Sequence, residues 1–121
     1  MYIVKDLDSV FESLVRSPFR RKFRLSARDR AYLRDKGLSV VIEDGRLFIG
    51  RHLVPAYPEN DGKQTPFRGN PIFVAQHATA TCCRKCLEKW HGITRGHILT
   101  ADEQGHVIAT LGRWLRSQEP F

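Results

Sequence analysis

No apolar run among the 121 residues approaches the roughly 20 that a bilayer-spanning helix needs. The opening residues, Met1-Tyr2-Ile3-Val4-Lys5-Asp6, lack the charged-then-apolar layout of an export signal, so the expected location is cytoplasmic, with no membrane partner. Cysteine is scarce and wrongly placed for a disulfide framework. There are three, an odd number, and all fall within five positions (Cys82, Cys83, Cys86), whereas secreted scaffolds spread an even number along the chain. That excludes a disulfide-stapled fold and leaves metal ligation, thiol chemistry or plain core packing. Internal repeats and low-complexity segments are also absent. Hydrophobic residues at 41% and charged residues at 27% sit near globular averages, which excludes wholesale disorder.

Acidic residues are in deficit, 13 against 20 basic ones, and the imbalance is local. Nine basic residues lie between Arg16 and Lys36 against only Asp29 and Asp35, so the whole net charge of +7 sits in that stretch. Such a concentration is an electrostatic footprint for a phosphate backbone, with Arg20, Arg21, Lys22, Arg24 and Arg28 as the candidate nucleic-acid contacts. The alternative is a solvated basic face.

Apolar periodicity organises the chain into helices. Leu7, Val10, Phe11, Leu14 and Val15 recur at helical spacing, and Pro18 ends that helix or starts the next. Ser26 with Asp29 three residues on, and Gly37 beyond, predict a short helix over Ala27 to Lys36. Residues 39–50 fit a β-hairpin around Asp44-Gly45. The helical reading, with Leu38, Val41, Ile42, Phe48, Ile49 and Leu53 on one face, runs for four turns and is preferred, Gly45 being its weak point. Ile72 to Ala75 reads as a buried strand or the lead-in to a helix. Thr79 or Thr81 is expected to cap a helix through His91, and Thr100 with Glu103 forms a capping box for a last helix to Ser117. The expected fold is mainly α: one small domain of four to five helices over residues 1–121, with a strand or hairpin as the minor alternative. A basic helical part (1–54) precedes a long Pro/Gly-rich loop (55–71), then a Cys/His segment and C-terminal helix (72–117).

The chemistry-bearing stretch runs from Gln76 to His91. Cys83 and Cys86 have C-x2-C spacing, and Cys82 lies four residues before Cys86, so pairs of sulfurs share a helix face. Structural zinc takes four thiolate or imidazole ligands, which makes His77, Cys82, Cys83, Cys86 and His91 the candidate ligand set and zinc the expected cofactor. A zinc deaminase is excluded: His77-Ala78-Thr79 has threonine where H-x-E needs its glutamate, and His77 is too close to Cys82. The loop adds Asp61, Lys63, Gln64, Thr65 and Arg68, a set suited to a phosphate- or carboxylate-bearing ligand, or else an ordinary surface turn. It lacks the glycine and Lys-Ser/Thr spacing of a P-loop.

Two blocks, Asn60 to Pro66 and Gln76 to Ile93, resemble a family of small microbial proteins described as a domain of unknown function (four-one-eight-six). The resemblance covers nearly the whole chain. It implies that the Asp61–Arg68 loop and the His77–His91 segment form one functional unit, and it implies no reaction. The expected function is therefore a small zinc-binding protein that engages nucleic acid through the basic N-terminal face. A metal- or thiol-dependent enzyme on a phosphate- or carboxylate-bearing substrate, and a structural partner-binding module, are the alternatives. No catalytic residue and no oligomeric state are assigned.

Overall fold

The computed structural model describes residues 4–121. Short, well-capped helices build it, and no strand occurs among the described residues. Helix α1 (Leu7–Val15) begins where the Asp6 carboxylate accepts from Ser9 N, and it buries Val10 and Leu14. Pro18 starts α2 (Pro18–Arg21) rather than merely ending α1, because the first turn needs no amide donor there. The Ser26/Asp29 capping box opens α3 (Ala27–Lys36), and Gly37 at φ +87° turns the chain directly into α4 (Leu38–His52). The hairpin alternative for 39–50 thus gives way to a fifteen-residue helix that buries Val41, Gly45 and Ile49.

Helix α5 (Pro71–Thr79) is the centre of the fold. Every residue in it except Phe73 is buried, and it packs against α1, α2, α3, α4 and α7. Encirclement explains why Ile72 to Ala75 read as a continuous apolar run instead of an amphipathic stripe. Gly45 is where α4 and α5 come closest: a Cβ there would lie 2.5 Å from Ile72 Cδ1. The apparent weak point of α4 is its packing contact.

One sequence expectation fails. No helix runs from Thr79 or Thr81 to His91. Thr79 ends α5, its hydroxyl donating to Ala75 O, and Ala80 closes the helix in the left-handed region at φ +59°. Non-helical residues follow, and the chain re-enters helix only at α6 (Arg84–Cys86), which widens at once into a π-helical stretch (Leu87–His91). His77 therefore lies inside α5 and not ahead of a helix. Helix α7 (Ala101–Ser117) opens on the expected Thr100/Glu103 box and lays Val107, Leu111 and Leu115 on the main core with Ile49, Leu53, Ile72 and Leu87. A second, smaller cluster of Val10, Leu14 and Ala80, flanked by Phe11, Cys86 and Trp90, joins α1 to the cysteine segment. No helix among the described residues is long and apolar enough to cross a membrane.

Candidate metal centre

The break between α5 and α6 creates the site. Ala80 turns the chain, Cys82 follows in a bend, Cys83 is the extended N-cap of α6, and Cys86 lies at the far end of that single turn. Their three sulfurs lie within 4.8 Å of one another. Cys82 Sγ is 3.7 Å from Cys86 Sγ, and Cys83 Sγ accepts from Cys86 N at 3.3 Å. Zinc–sulfur bonds of about 2.3 Å at tetrahedral angles put ligand sulfurs about 3.8 Å apart. The Cys82–Cys86 spacing already matches that edge.

Arg20 completes the cluster from α2. Its guanidinium donates to Cys86 Sγ at 3.3 Å, to Cys82 Sγ at 3.8 Å and to His77 O at 2.7 Å, and only 8% of the residue is exposed. This corrects the assignment of Arg20 to the nucleic-acid face. The Cys86 thiol is driven far below its ordinary range by hydrogen bonds from Cys82 and Cys83, with Arg20 adding to them. Cys82 moves far upward, because it donates to its two neighbours and is buried. Three clustered sulfurs faced by an arginine are a soft donor set.

The histidines do not join it. Among the described residues, the group of mutually close metal-ligating atoms contains three sulfurs and no imidazole. His91, fully buried, has one ring nitrogen (Nε2) 2.7 Å from Thr79 O and the other (Nδ1) 2.8 Å from His106 Nε2. Both nitrogens are occupied, so His91 has no lone pair to offer an ion as it sits. His77 Nε2 donates to Thr65 O at 3.0 Å, and its ring stacks on Phe67 with centroids 4.0 Å apart.

The loop residues divide by role. Asp61 Oδ1 accepts from Arg84 N and from Gln64 Nε2, while Gln64 Oε1 accepts from Gly62 N. Thr65 is buried and donates to Cys82 O at 2.8 Å. Asp61 and Thr65 thus hold the loop against the cysteine segment, while Gln64 ties Gly62, Asp61 and His52 O together. Lys63 and Arg68 are exposed.

A family model for a domain of unknown function (DUF4186) matches residues 8–116. The chain belongs to that family. No solved structure matches it. Within this DUF4186 chain, Arg21, Lys22, Arg24 and Arg28 are exposed as the charge pattern suggested, and two of them meet the loop. Arg24, Arg28 and Arg68 line one open groove of about 1080 Å³ with Phe23, Tyr32 and Phe67. Arg30 and Arg34 instead bind the C-terminal carbonyls of Gln118, Pro120 and Phe121. Arg84 gave no signal in the sequence beyond its place between cysteines. It is 1% exposed and donates to the carbonyls of Leu53, Val54, Pro55, Thr94 and His97, tying both flanking loops to α6.

Proposed function

We propose that this protein is a small zinc-binding domain that engages nucleic acid through its basic N-terminal face. The observation that carries the metal reading is the sulfur triad, three thiols within 4.8 Å of one another, with the Cys82–Cys86 edge at the 3.7 Å that tetrahedral zinc favours. Cys82, Cys83 and Cys86 are the protein ligands, and the cation displaces their remaining protons as it binds. Thiols kept reduced for this purpose fit a cytoplasmic location. Arg21, Lys22, Arg24 and Arg28 supply affinity for phosphates by counterion release.

A second reading draws on the same triad. Three protein sulfurs leave the fourth zinc position open, the arrangement of a catalytic ion, and Cys86 is only partly buried. A metal-dependent enzyme acting on a phosphate-bearing substrate would use that position.

Elemental analysis of purified protein, with thiols counted before and after chelation, tests the reading. About one zinc per chain, with all three thiols titrating only after chelation, is the expected result. Metal-free protein that takes up no zinc and shows three freely titrating thiols overturns it. An exogenous thiol or azide that perturbs the spectrum of the cobalt-substituted protein favours the open, catalytic site.

A further inference from the structure

The groove between α3 and the loop has features that a basic face alone does not explain. Its cations come from two separate segments, Arg24 and Arg28 around the start of α3 and Arg68 from the loop. The one carboxylate in its lining, Asp29, accepts from Ser26 N in the capping box. Phe67 stands beside Arg68 with 58% of its surface exposed.

That ring is held in place from beneath. It stacks on His77 at 4.0 Å and 11°, and Phe23 lies nearly parallel to both at 8° and 19°. His77 is fixed by its bond to Thr65 O, and Thr65 is fixed by its bond to Cys82 O. Pro66 stiffens the step between Thr65 and Phe67. The result is a rigid aromatic surface facing solvent, bordered by guanidinium groups.

We propose that this groove binds single-stranded nucleic acid, with a base stacked on Phe67 and successive phosphates on Arg68, Arg28 and Arg24. The proposal rests on the nucleic-acid reading above and narrows its substrate class. Duplex bases have no free face to offer an aromatic side chain, whereas unpaired bases stack on one regardless of sequence. Three cations drawn from two segments and set along one groove suit successive phosphates of a strand better than a lone nucleotide.

Fluorescence anisotropy with labelled dodecathymidylate, the same strand annealed to its complement, and thymidine monophosphate as competitor tests this on the full chain. The single strand is expected to bind tightest. Three neutralised phosphates give a log–log salt slope of about −2, so affinity falls about 20-fold between 50 and 200 mM salt. Phe67→Ala is expected to weaken the single strand by about 5- to 100-fold with an unchanged salt slope, and Phe67→Trp to restore it. Unaltered thermal melting of both variants shows that the effect is not unfolding. Duplex binding equal to the single strand, or an inert Phe67→Ala, overturns the stacking proposal and leaves the basic-face reading standing. Competition by the mononucleotide at equal concentration overturns the polymer assignment. Absence of binding to either strand form overturns the proposal and the nucleic-acid reading together.

Discussion

Lowering the pH should destabilise this protein by way of His91. In the folded chain Nε2 of that ring donates to Thr79 O and Nδ1 accepts from His106 Nε2, an arrangement that only a neutral imidazole satisfies. A second proton on Nδ1 would point at the His106 N–H, inside a site with no exposed surface. Burial lowers the His91 pKa to about 4, the Thr79 carbonyl opposing the shift and His106 reinforcing it. Unfolded, the ring titrates near 6.5. Between those values the unfolded state binds the extra proton and the native state does not, so stability rises with pH across the window and falls on acidification. One such group removes about 2 kcal/mol at about pH 5 and about 3 kcal/mol once the shift is fully expressed. His77 and His106 are lowered in the same direction by burial and steepen the loss. Urea unfolding at a series of pH values reads this directly, and His91→Gln supplies the control. Its amide donates to Thr79 and accepts from His106 without titrating, so its curve should be flatter by about 2 kcal/mol over the same interval. Wild-type stability that is level from neutrality to about pH 5, or that rises there, would refute the neutral-ring assignment.

Two further substitutions probe the frame around the site. Gly45→Ala gains about 1 kcal/mol of helix propensity and loses about 1–3 kcal/mol to the collision with Ile72, so a net destabilisation of about 1 kcal/mol is expected by urea titration; a stabilised variant would show that α4 and α5 are less close than described. Arg84→Met removes a buried cation from five carbonyls, three of them within 3.2 Å. A loss of about 3 kcal/mol, or about 10 °C in Tm, is expected, and a change under about 0.5 kcal/mol would contradict the tethering role.

The helical frame was legible because its signals are local. Capping side chains at Ser26 and Thr100, and the i, i+3, i+4 spacing in α1, α4 and α7, are written within one or two turns of sequence. The site was legible only as a neighbourhood. The Thr79–Cys83 break depends on Thr79 bonding back to Ala75 and on a left-handed alanine, neither of which has a compositional mark. His91, five residues after Cys86, already points away from the sulfurs on a continuous helix, and in the fold its ring falls between α5 and α7. Arg20 was misassigned for a similar reason. Its charge belonged to an exposed-looking basic run, and only the docking of α2 on α5, nearly sixty residues away in sequence, turns it onto Cys82 and Cys86.

The loop is fixed to the cysteine segment by bonds that do not involve the thiols. Thr65 donates to Cys82 O and Asp61 accepts from Arg84 N, so two hydrogen bonds already join the loop to the segment that carries the sulfurs, and a third, from His77 to Thr65 O, joins it to α5. Each acts on backbone or side-chain atoms other than the thiols. An ion at the triad would therefore not be needed to place the loop. It would act on the pieces of chain that carry Cys82, Cys83 and Cys86, which lie in two backbone conformations on either side of a helix start. Thr65 is bonded to the backbone of Cys82 itself, His77 to Thr65 O, and the His77 ring stacks on Phe67. Thr65, through Cys82 O and His77, and Arg20, through His77 O and the Cys82 and Cys86 sulfurs, are two links between the sulfur triad and the ring stack of Phe67.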